Sequence, residues 1–176
     1  GRKIGYLQVN ISKVVGPTVL QEPPLKNAAG QKQIAKLLQI EARYDVAIAG
    51  GGLSGLALAI QSARAGYSTI LFERERFPFH KVCGEYVGFE SWNFLQELGL
   101  PLSDMQLPII HRILISSPGG KYLEQDLPLG GFGISRFTLD HMLAQQAARE
   151  GVTIAEGCRV MDIIYRNNGF IVFSNL

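Results

Sequence analysis

What this sequence lacks narrows its class. It has only two cysteines, Cys83 and Cys158, too few for a disulfide framework, which points to a reducing compartment and a cytoplasmic location. No apolar run approaches the ~20 residues that a membrane-spanning helix needs, so no transmembrane segment is expected. The first residues do not lead from a basic start into an apolar stretch with a small-residue cleavage site, so no secretory signal is read there. Charge of neither sign dominates, and a net charge of +2 gives no reason to expect nucleic acid as a partner. The three histidines, His80, His111 and His141, show no ligand spacing, and no metal site is expected. Repeats and low-complexity blocks are absent as well.

What charge there is lies unevenly. Residues 1–43 hold seven Lys/Arg against two Asp/Glu, whereas residues 44–176 hold ten against thirteen. The basic leader reads as a solvated extension, and a role as an arm for an anionic surface stays open. Prolines at 17, 23 and 24 break any regular element there, and residues 31–42 show helical spacing of Ile34, Leu37, Leu38 and Ile40. The expected organisation is an N-terminal extension over 1–43, with one short helix, followed by an α/β domain over 44–176.

At Tyr44 the texture changes. Residues 45–49 form a short apolar run of the kind expected for a central parallel strand buried on both faces. The turn Gly50-Gly51-Gly52-Leu53-Ser54-Gly55 follows, then a helical pattern over 53–65 that Gly66 ends with a left-handed cap. A second buried strand over 68–72 delivers Glu73 at its C-terminal end. Strand, turn, helix and strand in about thirty residues make a right-handed βαβ unit of the Rossmann type.

The turn fits G-x-G-x-x-G at Gly50, Gly52 and Gly55. Gly50 permits the tight turn, Gly52 lets a pyrophosphate approach the backbone, and Gly55 permits close helix–strand packing. Leu53 and Ser54 open the helix, whose free N–H groups and dipole favour an anion. Glu73, eighteen positions past Gly55, can accept hydrogen bonds from both hydroxyls of a ribose and disfavours a 2′-phosphate. Arg74 follows it. These residues imply dinucleotide binding, and by themselves they suit a flavin or a nicotinamide equally.

Further along, 74–87 reads as a loop, and 90–98 as a helix closed by Gly99. Residues 112–117 and 121–126 read as strands joined by Pro-Gly-Gly. A helix follows from about 138 to 150, then a short strand over 152–155, and a hairpin of 159–165 with 170–173 around Arg166-Asn-Asn-Gly169. A nicotinamide dehydrogenase would continue with alternating helices and parallel strands. Antiparallel hairpins after the βαβ start favour a flavoprotein.

The segment RERFPFHKVCGEY resembles the stretch after the second strand in p-hydroxybenzoate hydroxylase-like flavoproteins, and most of all in geranylgeranyl reductases and related FAD-dependent oxidoreductases. The resemblance rests on Lys81-Val-Cys83-Gly84 and implies that this loop runs beneath the flavin. GISRFTLDHML resembles the family's helix start with Arg136 and Asp140 in the matching places, which implies an FAD contact for Arg136. Arg136 also has a local alternative, as the first-turn partner of Asp140. The stretch 151–160 resembles the strand and turn whose backbone meets the adenine, at Val160.

The family completes its FAD site with an Asp-Gly and a Gly-Asp segment, and neither dipeptide occurs here. The first methionine is Met105. Both absences create the expectation that the sequence is part of a larger flavoenzyme. The resemblance implies FAD as cofactor, a small apolar organic substrate, and NAD(P)H or another electron donor, with peripheral membrane contact left open. A nicotinamide-binding dehydrogenase domain and a non-catalytic nucleotide-binding module are the alternatives. No catalytic acid or base stands out. Cys83 reads as a residue near the flavin, with a small buried loop residue as the alternative, and it is the one candidate for a redox role, which needs an exposed thiol of lowered pKa. Cys158 reads as structural, and His80 as a surface or packing residue.

Overall fold

The computed structural model describes residues 43–166 and 168–175. The expected leader, including its short helix over 31–42, lies outside the described residues. The chain divides into two compact units. The first contains the described residues 43–76 and 147–175, and the second is Phe77–Gln146.

In the first unit, β1 (Val46–Ala49), α1 (Leu53–Arg64) and β2 (Thr69–Glu73) form the expected strand–helix–strand unit, with β1 and β2 parallel. β6 (Thr153–Glu156) adds in parallel on the other side of β2, giving the order β1-β2-β6. The central strand is therefore β2, buried along its whole length, rather than β1. β1 stands at the edge of the described sheet, and only Ile48 on it is fully buried.

Strand alternation explains how β2 serves two cores. Ile70 and Phe72 join Cys158 and Val172 in one apolar cluster, with Tyr44, Ala47, Ala155 and Val160 packed around it. Leu71 is left for the opposite face, where α1 packs with Leu56, Ala59 and Ile60 fully covered. Gly66 has φ +85°, the left-handed end expected for α1. A two-stranded antiparallel sheet of β7 (Arg159–Arg166) and β8 (Gly169–Asn175) completes this unit, turning through Asn168 at φ 62°.

The second unit is built on β3 (Tyr86–Gly88), β4 (Ile109–Ser116) and β5 (Tyr122–Gly133), in the antiparallel order β3-β5-β4. All three strands exceed the sequence expectation. β3 lies in what reads as a loop, β4 starts three residues before 112, and β5 runs on past residue 126. The ladder breaks between Ile110 and Arg112, with Arg112 opposite Asp126 and Ile110 opposite Gly131. Residues 127–130 thus bulge out of the pairing, which accommodates Pro128 in a middle strand.

Phe132 is the centre of this unit's core, edge-on to the Trp92 ring at 5.0 Å and near Phe89 at 5.9 Å. The helix expected over 90–98 is a 3₁₀ turn, Phe89–Ser91, running into α2 (Trp92–Glu97). α3 (Arg136–Arg149) starts two residues before its expected position. Ser135 accounts for that start, because its Oγ accepts the Thr138 N–H at 3.1 Å as an N-cap.

Candidate functional site

The glycine turn is held by backbone groups. Gly50 sits at φ +109°, where a side chain would be strained, and its N–H donates to the Phe72 carbonyl at 2.8 Å. A Cβ on Gly55 would collide with the Gly50 carbonyl oxygen and come within 3.4 Å of Ile48 Cγ2. Gly55 therefore keeps the turn closed on itself as well as bringing helix to strand. Gly52 differs, because its Cβ would meet nothing within 4 Å. It is the N-cap of α1, with extended backbone (φ −81°, ψ 179°) and no side-chain cap. The first N–H groups of α1 are thus left for an outside acceptor, with Leu53 and Ser54 in the first turn.

Glu73 is 7% exposed, and both its oxygens accept backbone hydrogen bonds. Oε2 takes the Gly51 N–H at 2.8 Å, and Oε1 takes the Glu75 N–H at 3.1 Å. Each carboxylate oxygen has a second lone pair, so the side chain can brace the turn and still accept from a ribose hydroxyl. Gly51 escaped the sequence reading because any non-proline residue supplies an N–H there. Its contact with Glu73 is visible only in three dimensions.

The turn after β6 is tied to the same strand end. Cys158 N donates to the Glu73 carbonyl at 2.8 Å, and Gly157 N to the Glu75 carbonyl at 3.1 Å. Val160, half-buried at the start of β7, packs on the Phe72 and Cys158 cluster. The first unit thus brings Gly50–Gly55, Glu73 and the 157–160 turn to the C-terminal ends of its parallel strands, the side on which open α/β sheets take ligands. Arg74 is exposed and leans on Glu75 at 3.5 Å.

The second unit gathers the downstream residues. Asp140 is only 2% exposed and grips two cations. Arg136 donates to it through Nε to Oδ1 at 2.7 Å and Nη2 to Oδ2 at 2.9 Å, and Lys81 Nζ donates to Oδ2 at 2.9 Å. The local alternative for Arg136, a bond to Asp140, is thus present. That hydrogen bond is the main reason the Arg136 guanidinium pKa is raised, with burial opposing it and the Cys83 sulfur adding a smaller push in the same direction. Folding raises this pKa, so its stabilising contribution is complete below the ordinary guanidinium range and fades only as pH climbs through the raised value.

Cys83 is exposed, contrary to a small buried loop residue, and its Sγ accepts the Glu85 N–H at 3.4 Å. Gly84 is exposed beside it. His80 packs as expected, its ring stacked on Phe137 at 4.6 Å. Lys81 Nζ lies 4.4 Å above the Phe79 ring. Among the described residues, no three His, Cys, Asp or Glu side chains are grouped to hold a metal.

Residues 45–79 match the FAD binding domain family. The chain is 30% identical over 132 residues to a menaquinone reductase of Mycolicibacterium smegmatis, across 72% of this chain and 32% of that protein. It is 34% identical to a probable electron transfer flavoprotein-quinone oxidoreductase of Escherichia coli, across 71% and 30%. A digeranylgeranylglycerophospholipid reductase of Methanothermobacter thermautotrophicus is 29% identical, across 70% and 32%. The chain thus spans about a third of the length of these curated relatives. Among solved structures, a myxobacterial chondrochloren halogenase of the FAD-dependent kind aligns with TM-score 0.59 and 26% identity, over 70% of this chain and 31% of that one. A geranylgeranyl bacteriochlorophyll reductase-like protein from Thermoplasma acidophilum shares the fold with TM-score 0.58, at 23% identity over 70% and 32%.

The residues present fit the cofactor that these likenesses imply. The uncapped N-terminus of α1 and the open space at Gly50 and Gly52 suit a pyrophosphate, and Glu73 suits a ribose. This chain carries an FAD-binding domain of the Rossmann-like type, matched by the FAD binding domain family over residues 45–79.

Proposed function

We propose, from the premise that this chain carries an FAD-binding domain, that the whole protein is a flavin-dependent oxidoreductase acting on an apolar substrate of the quinone or isoprenoid-lipid class. The relatives named for menaquinone and for a digeranylgeranyl lipid support that substrate class. Residues 44–176 are the N-terminal portion of the domain, and 1–43 precede it as an extension.

When bound, FAD supplies the electron-transfer chemistry, taking electrons from NAD(P)H or another donor and passing them on. The residues of this chain bind and orient it. The first N–H groups of α1 and the side-chain-free edge of Gly52 receive the pyrophosphate. Glu73 receives the ribose of the adenosine, with Arg74 beside it, and the Val160 backbone meets the adenine. The loop carrying Cys83 and Gly84, together with Arg136, serves the flavin end. Arg136 spends two of its five donors on Asp140, so its remaining N–H groups are what it offers to the cofactor.

Two thiols without a disulfide fit a reducing, cytoplasmic location. No helix among the described residues is long and apolar enough to cross a membrane, so access to a lipid substrate is proposed to be by peripheral contact.

The observation that carries this reading is the join of Glu73 to the glycine turn through the Gly51 N–H, beside a helix N-terminus that no side chain caps. The test is the visible spectrum of the purified full-length protein, followed by titration with FAD and with NADH. Flavin bands, or uptake of added FAD, are expected. A colourless protein that takes up NADH and ignores FAD would overturn the reading.

A further inference from the structure

The loop from His80 to Glu85 is held to the beginning of α3 by a series of contacts from separate side chains. His80 stacks on Phe137, and Lys81 reaches Asp140, which Arg136 also holds. The Glu85 carbonyl then accepts the Ile134 N–H at 2.9 Å, just before the helix begins. Between these ties the loop itself is open, with Val82, Cys83 and Gly84 all exposed.

Asp140 is the anion that both cations of this set hold, and its most deeply buried member. Its two oxygens hold Arg136 from its own helix and Lys81 from a segment 59 residues earlier. A buried carboxylate that bridges two cations is sensitive to neutralisation, because both cations then lie partly desolvated and repel each other. The geometry therefore gives this side chain control over two things at once. It sets where the loop 81–84 lies and how the Arg136 fork is turned.

We propose that Asp140 is a positioning residue for the flavin end of the cofactor, acting through Lys81 and Arg136 rather than by touching FAD. The inference rests on the reading that the 81–84 loop and Arg136 serve the flavin. Neutralising Asp140 displaces the loop and turns Arg136, so the bound flavin meets an altered environment even at saturating FAD.

The test uses the full-length protein with the Asp140→Asn substitution, measuring FAD affinity and the visible absorption band of the flavin at saturating FAD. Roughly tenfold weaker binding is expected, the low end of the loss when a group that orients contacting residues is removed, together with a shifted or reshaped band. A residue that only supports folding would lower thermal stability and leave the band of the saturated protein unchanged. If Asp140→Asn does not fold, Lys81→Met decides, since it removes the partly exposed cation and leaves the Arg136–Asp140 fork in place. It is expected to shift the band with a smaller loss of affinity. A folded Asp140→Asn protein with wild-type affinity and band overturns the proposal, as does a wild-type band in Lys81→Met when Asp140→Asn cannot be obtained. Failure of the wild-type protein to bind FAD would instead overturn the reading beneath it, and the two failures are told apart by the wild-type titration alone.

Discussion

The glycine turn of the first unit and the Asp140 cluster of the second are made of opposite materials. The turn is almost entirely main chain: its bonds run from Gly50 N to the Phe72 carbonyl and from Gly51 N to Glu73, and α1 begins with N–H groups that no side chain caps. The cluster is almost entirely side chain, with a carboxylate, a guanidinium and an ammonium brought together from two segments. A main-chain site restricts which residues can stand in it. A side-chain site depends on where distant residues end up. The first is sensitive to an added methyl group, and the second to a lost charge.

Among the substitutions that disturb folding and binding together, the largest effect is expected where the two meanings of a glycine coincide. At Gly55 a Cβ meets the Gly50 carbonyl, so Gly55→Ala must open the turn. Overpacking of this kind costs about 1–3 kcal/mol of stability. FAD affinity is expected to fall by about a hundredfold, as the turn loses its shape. Thermal melts and an FAD titration check both numbers. Wild-type values would show that the turn adapts and that the main-chain account of the first unit is too rigid.

Glu73→Ala comes next and sharpens the same side of the comparison. It leaves the Gly51 and Glu75 N–H groups without their carboxylate and removes the ribose acceptor. Roughly 1.5–3 kcal/mol of binding is expected to be lost, the usual scale for a hydrogen bond to a charged group. A dissociation constant for FAD within twofold of wild type would break the assignment of Glu73 to the ribose.

What the sequence disclosed follows the same division. The β1–α1–β2 unit is legible because a phosphate turn needs glycine at fixed spacing and an acid at the next strand end. The pairing of Arg136 with Asp140 is legible too, since i and i+4 share a helix face. Lys81 is not, because nothing local links it to a carboxylate 59 residues away. β3 is hidden by its length, three residues being too few to show alternation. The far end of β5 is hidden by Pro128 and Gly130, residues that ordinarily interrupt a strand and here occupy a bulge. The edge position of β1 is not legible, because an apolar run reports burial of side chains and says nothing of which strands lie beside it.

The smallest expected effect lies at Ser135, which belongs to neither site. Ser135→Ala removes the N-cap of α3 and should cost about 1 kcal/mol in a denaturant melt. FAD affinity is expected to stay within twofold of wild type. A large loss of FAD there would mean that the start of α3 is held by its cap as much as by the Asp140 cluster.

The central claim is that the first unit leaves a helix N-terminus and the empty side of Gly52 for the pyrophosphate. Gly52→Asp tests it by setting folding against binding. Gly52 has extended backbone that any residue adopts, its Cβ meets nothing within 4 Å, and it stands at the N-cap of α1. Aspartate is a better N-cap than glycine by a few tenths of a kcal/mol and suits the positive end of the helix. The same carboxylate would occupy and repel the anion site. Melting the cofactor-free variant beside the wild type, and titrating both with FAD, gives the decisive pair of numbers. The account predicts a melting temperature equal to or above wild type with FAD binding abolished. A Gly52→Asp protein that binds FAD as tightly as the wild type would contradict it.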